Sequence, residues 1–233
     1  MFGRFQFPFI HVHLQTTIFE QEHRLVELFA ANIQQIAPNA DSLVCLLDEE
    51  RQARVRAFGN SAEALRTLAA GLLLHRVFGD GTRRSRFERG QRGKPSLPSA
   101  KPFNLSHSGD YAVLAVSSGS VGVDLERIRP IDWVKISARF FHPFERAFLA
   151  ESADPQAAFF WIWTLKESYL KAEGLGFSVS PARFSILPAG ETNAVMSGET
   201  GYRFRRFSSI PGYCLSLCCI EPDIAGEVHL LSF

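Results

Sequence analysis

With 233 residues, 46% of them hydrophobic and 21% charged, the sequence is long enough to bury one large core or two small ones. A formal net charge of +1 gives no electrostatic case for nucleic-acid binding, and no stretch is long and apolar enough to span a bilayer. Cys45, Cys214, Cys218 and Cys219 have no C-x-x-C spacing, which argues against zinc ligands and disulfides and for buried thiols of a cytoplasmic protein.

In chain order, Phe9 to Thr16 alternates as a strand, and Glu20 to Ile36 is expected to be helical. Asp48 caps a short basic helix, Glu49 to Phe58, carrying Arg51, Arg54 and Arg56. Asn60 followed by Glu63 reads as a capping box opening a helix to about Phe78, stopped by Gly79-Asp80-Gly81. Thr82 to Ala100 is a basic, turn-rich loop that includes Lys94 and Pro95. Phe103 to Leu105 and Tyr111 to Val116 read as strands around the turn Ser106-His107-Ser108-Gly109. Val121 to Glu126 is expected to pair with Tyr111 to Val116 as a hairpin across Ser117 to Ser120. Ser137 to Leu149 is a helical stretch with Phe140, Phe141, Phe144 and Phe148. Asp154 and Pro155 then open a long helix that Gly174 and Gly176 close.

The order of elements repeats. Ile10 to Gln15 matches Val121 to Glu126, the helix around Arg66 matches the helix around Glu167, and Gly109 to Val116 matches Pro211 to Cys218. These matches predict an α+β fold of two similar halves related by pseudo-twofold duplication, residues 1–119 and 120–233. Each would have an antiparallel sheet packed on a long helix, with a cleft between the halves.

The chemistry concentrates near that cleft. Asp124 and Glu126, two apart on a strand, share a face. Two carboxylates on one face of an apolar strand are costly unless a cation compensates them, or unless the strand is a wet edge. On the long helix, Thr164, Glu167, Ser168 and Lys171 form a polar stripe at i, i+3, i+4, i+7. That spacing usually marks a solvated Glu–Lys pair, but the aromatic flanks favour a stripe lining a cleft. Three carboxylates make a hard oxygen site suited to Mg²⁺. Arg51, Arg54, Arg66, Lys94 and Lys171 supply cations for a phosphate-rich ligand, and the turn at Ser106 and His107 supplies hydroxyls and an imidazole. A non-catalytic ligand-binding module would lose the acidic residues. Another Mg²⁺-dependent nucleotide enzyme would normally show a Gly-rich phosphate loop, and none is present.

Phe103-Asn-Leu-Ser-His-Ser-Gly109, Val121-Gly-Val-Asp-Leu-Glu126 and Trp163-Thr-Leu-Lys-Glu-Ser-Tyr-Leu-Lys171 resemble the signature blocks of the Sfp-type 4′-phosphopantetheinyl transferase family. Arg92-Gly-Lys-Pro95 and Phe140-Phe-His-Pro-Phe-Glu145 are similar to two further blocks. The resemblance implies a monomeric enzyme that moves phosphopantetheine from coenzyme A to a serine of an apo acyl, peptidyl or aryl carrier protein, releasing 3′,5′-ADP. It implies that Asp124, Glu126 and Glu167 hold Mg²⁺ and that Lys171 contacts the transferred phosphate. Arg51, Arg54, Thr67 and His107 would surround the 3′-phosphate, with Lys94 and Ser106 along the nucleotide. Glu167 is the candidate base. The resemblance implies that carriers dock mainly through apolar contacts; the run Arg83 to Arg92 and the trio Arg203, Arg205 and Arg206 read either as basic patches that attract an acidic carrier or as solvated loops.

Overall fold

The first strand, β1 (Leu25–Asn32), sits where a helix was expected. Val26, Leu28 and Ala30 point into one buried cluster while Ala31 and Phe29 pack in another, so the strand is covered on both faces. Such a strand reads as a continuous apolar run, which sequence periodicity cannot separate from a helix. Among the described residues of that expected helix, only Ile33–Ile36 is helical. The computed structural model describes residues 25–84, 86–90, 92–98, 100–198, 200–224 and 226–233; the expected strand Phe9 to Thr16 lies outside them.

Helix α1 (Glu49–Ala57) is capped by Asp48, whose side chain accepts the Arg51 N–H. Helix α2 (Ala62–Phe78) is capped by Ser61 rather than by Asn60, and Gly79 at φ +74° ends it. The N-terminal sheet runs β2 (Phe103–Ser108), β3 (Tyr111–Val116), β1, all antiparallel. The chain then crosses to a second sheet. Strand β4 (Val121–Arg127) does not pair with β3; it pairs with β8 (Tyr213–Cys219), which continues to β7 (Arg203–Phe207), β6 (Asn193–Met196) and β5 (Ile186–Ala189). The expected hairpin fails because each strand finds its partner within its own half. Two short terminal strands, β9 (Asp223–Ile224) and β10 (His229–Leu231), return to pair in parallel with β1, so the tail of the chain joins the N-terminal sheet.

The inner faces of both sheets meet in one cluster: Leu28 and Ala30 of β1, Val113 and Ala115 of β3, Val123 and Leu125 of β4, Leu215 and Leu217 of β8. Helix α2 covers the outer face of the first sheet. Helix α5 (Pro155–Glu173), capped by Asp154 and stopped by left-handed Gly174, covers the outer face of the second. The order is therefore helix, sheet, sheet, helix, in two similar halves. By register, β1 corresponds to β4: Asn32 faces Tyr111 as Arg127 faces Tyr213, an offset of 127 − 32 = 95; Ile10 to Gln15, matched to β4 in the sequence, lies outside the described residues.

Three details position the site. Helix α5 lies directly on β4, where a Cβ on Gly122 would stand 2.0 Å from the Ser168 carbonyl oxygen and 2.4 Å from the Ala172 nitrogen. The free edges of β2 and β4 are joined by side chains in place of a ladder. Asn104 Oδ1 accepts from Val123 N–H at 2.9 Å, Ser106 Oγ from Leu125 N–H at 3.2 Å and Ser108 Oγ from Arg127 N–H at 3.1 Å. The edge amides of β4 are thereby satisfied across the seam. Finally, the stretch expected as one helix from Ser137 to Leu149 is two, α3 (Trp133–Phe140) and α4 (Pro143–Glu151), broken where His142 and Pro143 start a capping box with Glu145. Glu145 is fully buried and accepts from Lys166 Nζ at 2.6 and 2.7 Å, from His142 N–H and from Ile186 N–H. Lys166 also donates to Phe184 O at 2.7 Å. This buried pair ties α4, α5 and β5 together. Of the cysteines, Cys214, Cys218 and Cys219 are buried thiols, whereas Cys45 is exposed.

Candidate active site

A cavity of about 480 Å³ opens at the seam between α1, α2, β2, β4 and α5. It is lined by Arg51, Arg54, Thr67, Pro95, Ser106 and His107 from the N-terminal half and by Asp124, Glu126, Glu167 and Lys171 from the C-terminal half. Ten of the twelve residues singled out in the sequence thus meet in one place. Arg66 and Lys94 do not line it. Arg66 donates to Glu63 and to the Gly109 carbonyl. Lys94 Nζ donates to Val121 O at 2.9 Å and Ala172 O at 3.0 Å.

The polar stripe on α5 divides. Glu167 and Lys171 face the cavity, but Thr164 and Ser168 are buried against the sheet: Thr164 Oγ1 shares a hydrogen bond with Ser216 Oγ at 2.7 Å, and Ser168 Oγ donates to Leu165 O. The face they occupy is where α5 presses onto β4 and β8, and short hydroxyl side chains fit that close approach.

Asp124 is buried. Its Oδ1 accepts from Lys171 Nζ at 2.6 Å and from Ser106 Oγ at 3.0 Å, and Lys171 donates to Ser106 Oγ as well. Its Oδ2 is buried with no hydrogen-bond partner. Glu126 accepts from Ser108 Oγ at 3.0 Å, and burial, followed by the Asp124 charge, raises its pKa. Burial, then Asp124, pushes the Glu167 carboxyl up to about 7, against the opposing pull of Lys171. His107, 3.9 Å from Glu63, is held below the usual histidine range, chiefly by burial. An orphaned carboxylate oxygen beside two carboxyls that resist ionisation is an arrangement short of positive charge. These three are the residues that could hold a divalent cation. Among the described residues, no three His, Cys, Asp or Glu groups stand together as a metal-ligand cluster, and Asp124 turns one oxygen to Lys171.

On the opposite wall, Arg51 is paired to Asp48 at 2.6 Å, and its guanidinium lies 4.0 Å from the centroid of the Phe87 ring. Glu50 is bonded to Arg89 at the rim. Phe87, Glu50 and Arg89 were not singled out in the sequence; an aromatic within the basic run Arg83 to Arg92 was the available signal.

A family model for the 4′-phosphopantetheinyl transferase superfamily matches residues 120–218, and one for the 4′-phosphopantetheinyl transferase N-terminal region matches residues 36–119. The chain is 32% identical over 195 residues to the 4′-phosphopantetheinyl transferase psf-1 of Bacillus pumilus, covering 78% of this chain and 83% of that protein. The chain belongs to the 4′-phosphopantetheinyl transferase superfamily. It is likewise 28% identical to the 4′-phosphopantetheinyl transferase Sfp of Bacillus subtilis (strain 168), over 83% of this chain and 91% of that protein. As a phosphopantetheinyl transferase, the chain transfers phosphopantetheine to carrier proteins. Among the described residues of this transferase, no helix is long and apolar enough to cross a membrane.

Proposed function

We propose that this transferase uses coenzyme A and Mg²⁺ at the seam cavity, with residues 1–119 supplying the nucleotide side and residues 120–233 the reacting side. The observation that carries this reading is the meeting of Asp124, Glu126, Glu167 and Lys171 with Arg51, Arg54, Thr67 and His107 around one cavity. Asp124, Glu126 and Glu167 would hold the metal, which when bound supplies positive charge to the pyrophosphate oxygens. Arg51 and Arg54 give charge-assisted hydrogen bonds to the 3′-phosphate, with the Thr67 hydroxyl and the His107 imidazole beside them. Lys171 Nζ reaches the phosphate being transferred from its place between Asp124 and Ser106. The carrier's serine Oγ forms a bond to the phosphorus bearing the pantetheine arm. The bond from that phosphorus to the bridging oxygen of 3′,5′-ADP breaks, and Lys171 stabilises the charge left on that oxygen. Glu167 Oε, ionised beside the cation, takes the serine proton, directly or through a water molecule. The chain acts as a monomer in the cytoplasm in this reading.

The test is a mass measurement. Incubation with coenzyme A, Mg²⁺ and an apo carrier protein should add one phosphopantetheine arm to the carrier and release 3′,5′-ADP. Chelation of the metal should stop the gain, and dephospho-coenzyme A should support it poorly. Unchanged transfer in chelator would remove the metal role of the three carboxylates. Equal use of the two cofactors would remove the 3′-phosphate role of Arg51.

A further inference from the structure

We infer that Phe87 is a positioning residue that presents Arg51 to the 3′-phosphate of coenzyme A, and so contributes to the choice between coenzyme A and its dephospho form. The inference rests on the proposed reading of Arg51 as a phosphate ligand, and it concerns a residue outside the short sequence blocks named above.

The Arg51 side chain is only 15% exposed although its helix lies at the surface. Two contacts hold it there. Asp48, the cap of the same helix, accepts both the Arg51 backbone N–H at 3.0 Å and its guanidinium at 2.6 Å. The Arg51 guanidinium carbon lies over the Phe87 ring, 4.0 Å from its centroid. Phe87 is itself held edge-on against Phe103 of β2, with ring centroids 6.3 Å apart. The stack therefore joins α1 to the floor of the N-terminal sheet, and both stacked groups line the cavity.

A guanidinium has five donors in one plane. Asp48 takes one side-chain donor, and the Phe87 ring lies against the guanidinium from another side. The rest of the planar fork stays available for an anion, with its orientation fixed by the ring. An ammonium on a flexible stem would lack that plane, so lysine at this position would keep the charge and lose the geometry. The flanking contact supports the same arrangement. Arg89, two residues beyond Phe87, bonds Glu50, the neighbour of Arg51, so the basic loop is fastened along α1 at two successive points.

The test compares kcat/KM for coenzyme A with that for dephospho-coenzyme A. Phe87→Leu, which keeps an apolar side chain but removes the ring face, should cut the wild-type preference by roughly three- to tenfold. Phe87→Tyr should keep the preference. Arg51→Lys should lower it as Phe87→Leu does, and the double variant should fall no further than the larger single loss. A general packing fault would lower both rates together and leave their ratio unmoved, so a preserved ratio in Phe87→Leu overturns the inference. Strict additivity of the two substitutions would overturn it too. Failure of the underlying reading looks different: the wild-type protein would then show no preference to lose.

Discussion

The two halves share a scaffold and differ in what it carries. The register that sets Asn32 opposite Tyr111 and Arg127 opposite Tyr213 places Phe29 of β1 where β4 has Asp124, and Ala31 where β4 has Glu126. Inward positions are alike in both strands: Leu28 and Ala30, like Val123 and Leu125, enter the shared core. Outward, β1 packs Phe29 and Ala31 under α2, while β4 turns carboxylates toward α5. The charged residues that are buried among the described residues, Asp124, Glu145 and Lys166, all belong to the C-terminal half. The N-terminal half contributes cations from helix surfaces, held by pairs such as Arg51 with Asp48. The halves share the inward apolar positions that make the fold, and the chemistry lies where they diverge.

Substitutions that erase the divergence should have the largest effects. Asp124→Ala makes β4 resemble β1 and removes one of three carboxylates, so transfer should fall at least roughly a hundredfold. The thermal midpoint without metal should fall modestly, since loss of the Lys171 and Ser106 bonds outweighs the relieved carboxylate repulsion. Turnover near wild type in saturating Mg²⁺ would mean that the two halves do not differ in the way argued above. Lys166→Met leaves Glu145 buried without its cation and should cost about 3–5 kcal/mol in denaturant unfolding. Adding Glu145→Gln should recover much of that loss. Equal stability of the single and double variants would show that the pair is not the tie between α4 and α5.

Much of this division was legible in the sequence. Period two on β4, caps at Asp48 and Asp154, and the repeated order of elements led to two halves and to ten residues of one cavity. Strand β1 was not legible, because burial on both faces removes the alternation that marks a strand. Nor was the pairing of Glu145 with Lys166, since a lysine on an apolar helix carries no sign of a partner 21 positions away. The sequence reads Ser106 and Ser108 as part of a ligand turn after a strand holding Asn104, whereas all three lie on one strand. Their spacing of two also makes them the fastening of β2 to β4, a role visible only once the two edges are known to be neighbours. Lys94 shows the limit of a motif: its place in the chain does not say whether Nζ turns to a ligand or to two backbone carbonyls.

A smaller effect would sharpen the comparison at the helix contact. Gly122 permits α5 to touch β4, whereas β1 has Glu27, exposed, at the corresponding position. Gly122→Ala should cost about 1–3 kcal/mol by overpacking. It should also lower kcat by shifting Glu167 and Lys171 away from Asp124. Wild-type stability and rate would show that the close approach of helix and strand is dispensable.

The titration of Glu167 tests the central claim most directly. A carboxyl raised in the folded state binds a proton that the unfolded chain has already lost. Its contribution therefore lowers stability as pH rises from about 4.5 to about 7, in the protein free of metal. Carbon-detected NMR of labelled glutamate, assigned with Glu167→Gln, can follow the carboxyl itself. We expect a midpoint near 7 without metal, set by burial and by Asp124 and Glu126. Saturating Mg²⁺ and coenzyme A should lower it by roughly one unit or more, as an added cation favours the ionised form. A midpoint in the ordinary glutamate range, unmoved by Mg²⁺, would contradict a site in which three carboxylates await one cation.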